Sequence, residues 1–581
     1  MGSNFSEKAA FLWSVADLLR GDYKQADYGK VILPFTVLRR LDCVLEPTKN
    51  QVLQEYESRK NSGIADLSPF LLKVSGQKFY SVSRFTFSKL LDDPPHIRQN
   101  LESYLGDFSE NARDVFERFR FGEQISNLDS KNLLFMIVQK FATIDLHPDQ
   151  VPNEEMGLIF EELIRRFAET SNETAGEHFT PREVIRLMVN ILFVADDEAL
   201  SKPGVVRSLY DPAAGTGGML SVAEDYLREH NPDMRLTVFG QELNDESYSI
   251  CKADMMIKGQ DPNRIVSGNS FTQDGFPHDK FDYMLSNPPF GVDWKKIQDV
   301  VKNEHERKGY GGGRFGPGLP RVSDGSLLFL LHLLSKMRPP GEGGSRIGIV
   351  LNGSPLFTGD AGSGESEIRR WILENDFLEA IIAMPTDLFY NTGIATYIWI
   401  LSNRKSPERT NKVQLINAVD LYAKMRKSLG NKRNYLTDEN IREITRIYGE
   451  FENKGISKIF DTQDFGFRKI TVDRPPASGK TVKVKKGQKP YDPDLRDTEN
   501  VPLKEDINEY FEREVKPHVP EAWINEEIRD AKDGKVGKVG YEINFNRYFY
   551  VYKPPRPLEE IKADLKAVES RILEILKQVT D

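Results

Sequence analysis

Residues 205–230 have the pattern of a strand, a glycine-rich turn and a helix, and this unit constrains the fold more than any other feature. The apolar run 205–210 has strand length, the turn 211–218 is Asp-Pro-Ala-Ala-Gly-Thr-Gly-Gly, and 219–230 has helical spacing. Glycines in such a turn permit a positive φ and let a ligand approach the main chain closely. Because the strict GxGxxG spacing is absent, the pattern argues against an ordinary dinucleotide site.

Further strand candidates follow this unit, with helical stretches between them. They are the runs 236–241, 281–286, 346–351, 380–384 and 395–401. Strands that alternate with helices predict an α/β fold on a mainly parallel, doubly wound, Rossmann-like sheet. In such a sheet the ligand sites lie at the carboxyl ends of the strands.

Polar residues stand at two of these predicted strand ends. Glu242 follows the run 236–241, where a carboxylate is suited to hold a ribose diol, although an acid there also suits a helix N-terminus. Asn269 and Phe271 form part of another such end, where Asn269 is able to bond an adenine and Phe271 to cover its ring. A turn is an almost equally good interpretation of this second segment.

The sequence Asn287-Pro288-Pro289-Phe290 directly follows the apolar run 281–286. An adenine or cytosine amine has its lone pair delocalised into the ring, so a catalyst has to hold both N–H groups with acceptors. The side-chain carbonyl of Asn287 and the backbone carbonyl of Pro288 are such acceptors, and two prolines stiffen the loop. Phe290 offers a flat face for a base flipped out of its duplex. Taken alone, the motif fits a turn after a strand equally well.

The order of these motifs resembles S-adenosylmethionine-dependent DNA amino-methyltransferases, and more closely the modification (M) subunit of type I restriction-modification systems. The resemblance spans most of the chain and includes the segments 11–21, 176–182, 323–329 and 389–396. Two positions depart from the family pattern. Ala214 stands where family members often carry Cys, and Asn269 stands where an Asp is common, so that a carbonyl acceptor is kept and the charge is lost.

The resemblance implies methyl transfer from S-adenosylmethionine to the N6 amine of a flipped adenine in DNA. The implied catalytic residues are Asn287, Pro288, Pro289 and Phe290. The implied cofactor-binding residues are Glu177, Phe179, Thr180, Asp211, Gly215, Thr216, Gly217, Glu242, Asn269 and Phe271. No metal and no strong general base are expected, because positioning and carbonyl acceptors suffice for a nitrogen that becomes positive. The choice of adenine over cytosine rests on the resemblance.

Composition limits the setting of this chemistry. The chain has 581 residues, of which 39% are hydrophobic and 29% charged, as is typical of a soluble protein of several domains. It contains two cysteines, no Cys/His cluster with zinc spacing and no apolar run of bilayer-spanning length. We therefore expect no membrane association and a reducing, cytoplasmic location.

The formal net charge of −9 is unusual for a protein that holds DNA, since neutralisation of phosphates drives that affinity. We therefore expect help from a partner chain. The basic residues cluster in three runs, which are Arg404, Lys405, Arg409 and Lys412; Lys424, Arg426, Lys427, Lys432 and Arg433; and Lys480, Lys483, Lys485, Lys486 and Lys489. Such runs are more often solvated surface, and the second is our preferred phosphate-contacting candidate.

Four regions are expected along the chain. Residues 1–150 have the apolar spacing of a helical domain, and 155–475 hold the methyltransferase domain. Residues 476–553 are expected to be a linker and C-terminal region, followed by a helix in 554–581. Within the second region, the glycine-dense segment 308–318 is either a lid that orders on DNA or cofactor, or a disordered surface loop.

The C-terminal helix carries a heptad stripe. Its members are Leu558, Ile561, Leu565, Val568, Ile572, Ile575 and Val579. Alternating spacings of three and four predict a helix that faces another helix. The stripe either packs on the chain's own body or binds another subunit, and the terminal position favours the second. In the resembled family that partner is the specificity subunit, and a second copy of the chain and a restriction subunit are further expected members of the complex.

Three functions stay open at this point. The first is the DNA adenine methyltransferase subunit. The second is an enzyme that methylates a protein glutamine amide, which presents a similar NH2 group, although such enzymes usually have Tyr where Phe290 stands and are much shorter. The third is a non-catalytic scaffold that retained the fold.

Overall fold

The computed structural model describes residues 3–171, 180–196, 200–308, 313–390, 392–476, 489–552 and 557–580. Side chains are described for these residues except at 3–7, 168–171, 308 and 574–580. The chain divides into two compact units, Met1–Ile543 and Asn544–Asp581.

The first part of the larger unit is helical. Its helices α1 to α9 are Ser3–Leu19, Tyr28–Leu45, Lys49–Arg59, Ser68–Ser75, Phe87–Leu90, Ile97–Gly106, Glu110–Arg118, Phe121–Ser130 and Leu134–Ala142. Phe35 on α2 lies near the middle of their shared core, edge-on to Phe121 and stacked on Phe141 with ring centroids 4.8 and 5.2 Å away. The predicted helical N-terminal region is confirmed.

A mixed sheet forms the centre of the larger unit. Its strands β1 to β8 and β11 are Val206–Asp211, Arg235–Glu242, Ile265–Ser267, Tyr283–Ser286, Arg346–Asn352, Leu378–Ala383, Thr396–Ser402, Lys412–Asn417 and Ser457–Asp461. Within the described residues, nine strands are ordered β11-β8-β6-β7-β5-β4-β1-β2-β3. β1 pairs in parallel with both β2 and β4, so the strand order reverses at β1.

Most neighbouring strands of this sheet run parallel, and the exceptions lie on one side. β7 is antiparallel to both β5 and β6, and β11 is antiparallel to β8. Asp282 fixes the parallel pair β1–β4, because its Oδ2 accepts the backbone N–H and the hydroxyl of Ser208 at 2.8 and 2.7 Å. The predicted mainly parallel, doubly wound sheet is confirmed, with each predicted strand present.

Helices cover the sheet and connect it to the helical region. Helices α10 to α18 are Asn153–Ser171, Arg182–Phe193, Gly218–His230, Asp245–Ile257, Gln298–Lys308, Ser326–Ser335, Ser354–Phe357, Gly364–Glu374 and Asp438–Glu450. α13 joins the two regions, because Ile250, Ala253 and Met256 on it are buried in the helical core. Asp114 on α7 adds a polar link by accepting the hydroxyl of Tyr248 at 2.8 Å.

Two smaller β structures complete the larger unit. β9 (Ala423–Leu429) and β10 (Lys432–Tyr435) form an antiparallel hairpin. β12 (Gly466–Asp473) pairs with β13 (Asp497–Pro502), β14 (Trp523–Ile524) and β15 (Lys538–Tyr541), and the short helix α19 (Ile507–Tyr510) lies between β13 and β14. The sequence analysis did not predict this second sheet, since it treated 476–553 as a linker and C-terminal region.

The sheet around β12 is docked on the body of the unit through buried arginines of α17. Arg370 donates to Asp530 at 3.1 Å, and Arg369 donates to the backbone carbonyl of Tyr541. Its strands come from residues far apart in sequence and have little apolar alternation. Long-range pairing of this kind leaves no local pattern for a sequence argument to use.

The smaller unit contains the helices α20 (Phe545–Phe549) and α21 (Leu558–Thr580). α21 is the predicted heptad helix. Leu565, Val568 and Ile572 are each more than half exposed. This unit therefore offers no facing helix for the stripe in its described part.

Among the helices described, none combines the length and the apolar character needed to cross a bilayer. The described residues also contain no group of three or more His, Cys, Asp or Glu side chains placed to hold a metal ion.

Candidate active site

A cavity of about 540 Å³ opens at the carboxyl ends of β1, β2 and β4. This is the point where the strand order reverses, which is the usual ligand position in an open α/β sheet. The predicted site residues that line it are Thr180, Asp211, Gly215, Thr216, Glu242, Asn269, Phe271, Asn287 and Pro289. Residues from five separate segments of the sequence therefore meet in one cavity.

The glycine-rich turn after β1 forms one wall. Gly215 and Gly217 both have a positive φ, of 54° and 85°, which other residues adopt only with strain. A Cβ at Gly217 would lie 2.9 Å from Sγ of Cys251, so helix packing also requires glycine there. Gly215, Thr216 and Gly218 of this turn line the cavity, whereas Gly217 does not, and its expected contact with a cofactor stays a prediction.

Glu242 joins the end of β2 to this turn. Its Oε2 accepts the backbone N–H of Gly215 and its Oε1 accepts that of Asn244, both at 2.8 Å. Each carboxylate oxygen has a second lone pair. Glu242 therefore both holds the turn and presents acceptors to the cavity, in the manner that a ribose diol requires.

Asp211 ends β1 and is only 2% exposed. Burial raises the pKa of Asp211 to about 7. The backbone N–H of Ala213 donates to Oδ1 at 3.0 Å and has the opposite, smaller effect on this pKa. The nearby Glu242 charge raises the pKa further. A buried carboxylate in this state favours a cationic ligand, because a positive charge restores its ionised form.

The segment after β3 forms the opposite wall. Oδ1 of Asn269 accepts the backbone N–H groups of Phe271 and Thr272, at 2.9 and 3.2 Å. This carbonyl therefore holds the turn, and the expected contact of Asn269 with an adenine stays a prediction at a residue that lines the cavity. Phe271 lines the cavity, and its ring packs on Phe329 with centroids 4.5 Å apart.

The loop that follows β4 reaches the cavity through Asn287 and Pro289. Nδ2 of Asn287 donates to Oγ1 of Thr180 at 2.8 Å, which fixes the amide and turns its carbonyl away from Thr180. Asn287 is only 9% exposed, so its amide acts in a water-poor setting. The loop thus presents the Asn287 side-chain carbonyl, whose orientation Thr180 fixes, as the acceptor that the sequence analysis expects.

The other two members of this motif lie elsewhere. Pro288 is buried and does not line the cavity. Phe290 is 7% exposed and its ring stands edge-on to Phe389, with centroids 6.2 Å apart. The structure buries this ring, and the expectation that Phe290 offers a face to a base stays a prediction.

Two predicted residues, Glu177 and Phe179, lie outside the described residues. Thr180, which directly follows them, does line the cavity and holds Asn287.

Two family profiles match the chain. The N-6 DNA Methylase family matches residues 152–467, and the HsdM N-terminal domain matches residues 8–141. The chain belongs to the N-6 DNA methylase family. The predicted enzyme class, an adenine-specific DNA methyltransferase, is confirmed, and a glutamine amide methyltransferase is not favoured.

Individual relatives point the same way. The type I restriction enzyme MjaIX methylase subunit of Methanocaldococcus jannaschii is 28% identical over 478 residues, which are 80% of each chain. The type I restriction-modification methyltransferase subunit from Streptococcus thermophilus has a TM-score of 0.60 at 24% identity, over 79% of this chain and 97% of that one. A modification subunit of a putative type I restriction enzyme from Vibrio vulnificus has a TM-score of 0.50 at 18% identity, over 84% and 96%. The two structures support the fold.

Glu161 is a cavity residue of this N-6 DNA methylase that sequence reasoning missed. It lies on α10 and pairs with Arg182 at 3.7 Å. Burial raises the pKa of Glu161 to about 6, although Arg182 lowers it. The signal in the sequence was weak, because an acid on an amphipathic helix is ordinarily solvated surface.

Arg314 is a second residue that the sequence analysis missed. Its guanidinium donates to the backbone carbonyls of Ser270 and Phe271 at 3.0 and 2.8 Å, and to Glu304 at 2.6 Å. It belongs to the glycine-dense segment, of which 309–312 lie outside the described residues. Residues 315–318 are buried, so this half of the segment is packed against the wall that holds Phe271.

The basic runs of the N-6 DNA methylase differ in what their charges do. Arg404, Lys405 and Lys412 of the first run pair with Asp196, Asp376 and Asp461. The described part of the third run is Lys489 alone, and its Nζ lies over the ring of Trp523. The second run lies on the hairpin β9–β10, where Lys424, Arg426, Lys427 and Arg433 are exposed.

Lys432, also predicted as a phosphate contact in this run, is corrected. It is 3% exposed and pairs with Glu183 at the start of α11. Its Nζ also donates to the backbone carbonyl of Leu388 at 2.9 Å. Lys432 is therefore an internal anchor of the hairpin.

Proposed function

We propose that this chain is the methylating subunit of a type I restriction-modification complex and transfers a methyl group from S-adenosylmethionine to N6 of a flipped adenine in DNA. The observation that carries the proposal is the meeting of the glycine turn, Glu242, Phe271 and Asn287 around one cavity. A cytoplasmic location and the division into the regions 1–150, 155–475, 476–553 and 554–581 belong to the same proposal.

The chemistry of the cavity wall fits this cofactor. S-adenosylmethionine supplies the methyl group when bound. Asp211 and Glu161 are buried carboxylates suited to its cationic part, and Glu242 has acceptors for a ribose diol. Phe271 presents an aromatic ring for an adenine, and the backbone of 268–271 is at hand for its polar edge.

The catalytic step is assigned to the loop after β4. We assign one N–H group of the target amine to the side-chain carbonyl of Asn287, which lines the cavity. The other is assigned to the backbone carbonyl of Pro288, which is not part of that lining, so the base is expected to enter beside the cofactor cavity, with its lone pair turned toward the methyl group. As the nitrogen forms its bond to the methyl carbon, the bond from that carbon to the sulfonium sulfur would break and a neutral thioether would leave. The nitrogen becomes positive, carbonyl dipoles stabilise that charge, and the nitrogen then loses one N–H proton to solvent. Thr180 keeps Asn287 in position, so reorganisation during the reaction is small.

The partners in this proposal follow from the acidic net charge of the chain and from the heptad stripe of α21. Double-stranded DNA is the substrate, and the specificity subunit binds the heptad stripe of α21. A second copy of the chain and a restriction subunit complete the complex. The exposed apolar residues on α21 support a helical partner.

The test is to co-express the chain with its genomic neighbour and map methylated bases in host DNA. We expect N6-methyladenine at one sequence motif. With Asn287→Ala the methylation should fall at least about a hundredfold, because an oriented acceptor is lost at the reacting nitrogen, while the purified variant still binds S-adenosylmethionine. Undiminished methylation by the variant would remove the assigned mechanism.

A further inference from the structure

The hairpin β9–β10 carries a concentration of positive charge that stands out in an acidic chain. Residues 422–435 contain five basic and no acidic residues, whereas the whole protein has a net charge of −9. Four of the five, Lys424, Arg426, Lys427 and Arg433, are exposed.

These four charges are not used inside the protein. Within the part of the chain that the structure describes, none of them forms an ion pair, in contrast to the first basic run. Exposed like charges on one short hairpin repel one another, so the arrangement costs stability without a ligand. A polyanion that binds there relieves this repulsion.

The turn and the second strand of the hairpin are fixed to the loop 386–390. The backbone N–H groups of Arg433 and Asn434 donate to the Asp387 carbonyl at 2.9 and 3.1 Å. That of Asn431 donates to the Tyr390 carbonyl at 2.8 Å. Buried Lys432 adds its bond to the Leu388 carbonyl and its pair with Glu183. The hairpin is thus held at its turn and along β10, while the basic side chains of β9 stay exposed.

The same loop contacts the loop that holds Asn287. Phe389 stands edge-on to Phe290, with ring centroids 6.2 Å apart. Phe290 is three residues from Asn287, so the hairpin is anchored one aromatic contact away from the loop assigned to the target base. An aromatic residue also lies at the hairpin's end, where Tyr435 is 38% exposed.

We infer that the hairpin β9–β10 binds the phosphate backbone of the DNA strand next to the flipped adenine, through Arg426, Lys427 and their exposed basic neighbours. The inference rests on the proposed function, because it assigns a contact for the same substrate. A flipped nucleotide has lost its stacking and pairing, and contacts to phosphates on either side hold it at the catalytic loop.

The experiment uses the full chain purified with its partner subunit and a fluorescent DNA duplex of mixed sequence. Binding is measured over a series of salt concentrations. Each phosphate contact contributes about −0.9 to the slope of log K against log salt. We expect Arg426→Gln with Lys427→Gln to make the slope shallower by about two such contributions, with S-adenosylmethionine affinity unchanged.

Two matched variants control for net charge and for folding. Lys202→Gln with Arg235→Gln removes two exposed charges at the amino ends of β1 and β2, the opposite edge of the sheet, and should leave the slope as in the wild type. Arg426→Lys with Lys427→Arg preserves the hairpin charge and should restore the slope.

The outcomes separate the two proposals. A wild-type complex that neither binds DNA nor methylates it overturns the proposed function. A wild-type complex that does both, with a hairpin variant of unchanged slope, overturns the hairpin inference alone. Loss of co-purification with the partner subunit at an unchanged slope would assign the hairpin to a protein contact instead, and also overturns it.

Discussion

At the scale of single residues, two buried carboxyl groups, those of Asp211 and Glu161, line the cavity. In the described part of the chain, no cationic side chain contacts both of them. Burial raises the pKa of Asp211 to about 7 and that of Glu161 to about 6. Both shifts oppose ionisation near neutral pH. A bound cation lowers both pKa values again. Binding therefore releases a proton from each of the two carboxyl groups that is still protonated.

We therefore expect the affinity for S-adenosylmethionine to depend on pH. The folded pKa of Asp211 lies above its unfolded value of about 3.9. As the pH rises from 4 to about 7, the unfolded chain ionises this carboxyl while the folded protein keeps it protonated, so the free protein loses stability. The bound cation needs the ionised form, and the dissociation constant should thus rise as pH falls below about 7.

Calorimetric titration at several pH values, in two buffers of different ionisation enthalpy, measures this dependence and the protons released. Glu161→Gln should remove the part of the dependence near pH 6, and Asp211→Asn the part near pH 7. A dissociation constant that stays flat across this range in the wild type would contradict the assignment of these carboxylates.

At the scale of elements, Arg314 ties the glycine-dense segment to the turn after β3. Its guanidinium donates to the backbone carbonyls of Ser270 and Phe271 and also to the carboxylate of Glu304 on α14. His332 lies 3.3 Å from the guanidinium, and burial first, then the Arg314 charge, lowers the pKa of His332 to about 3. A neutral His332 does not repel the Arg314 guanidinium, so the hydrogen bonds of Arg314 are stable at physiological pH.

Arg314→Lys is expected to weaken cofactor binding more than turnover. A lysine keeps the charge and loses the planar fork that reaches two carbonyls. Loss of one or two charge-assisted hydrogen bonds corresponds to about a tenfold rise in KM for S-adenosylmethionine, with kcat changed far less. Steady-state kinetics of DNA methylation measure both constants.

Arg321→Lys is the matched control, since Arg321 is half exposed and pairs with Glu365 away from the turn. It should leave KM for the cofactor unchanged. An equal rise in KM for both substitutions, or a loss confined to kcat, would contradict the role of Arg314 in holding the cavity wall around Phe271.

At the scale of the whole molecule, the proposed function assigns catalysis and assembly to different units. The larger unit contains the cavity and the hairpin, and the smaller unit contains α21 with its exposed stripe. Deletion from Pro554 onward should therefore spare S-adenosylmethionine affinity and abolish co-purification with the partner subunit. Leu565→Glu with Val568→Glu should do the same, because charges in a heptad seam oppose helix pairing.

Lys566→Glu changes the charge of α21 off the stripe and should leave co-purification intact. Normal recovery of the complex with the truncated chain would refute the role of α21.

The sequence by itself determined the sheet, the order of its motifs and the enzyme class. Strands β1, β2, β4, β5, β6 and β7 follow from local apolar runs, and Asp211, Glu242 and Asn287 follow from their places at strand ends. Such signals are local, because a strand of a buried parallel sheet is apolar along its whole length.

Tertiary structure alone decided which side chains face the cavity. Glu161 reaches it from a distant segment, and Arg314 supports the turn that carries Phe271. Lys432 is buried while its neighbours stay exposed. A sequence motif fixes the path of the backbone, whereas burial and charge pairing depend on residues brought together from far along the chain. For that reason the motifs were predictable, and the role of Glu161, the contacts of Arg314 and the unpaired charges of the hairpin were not.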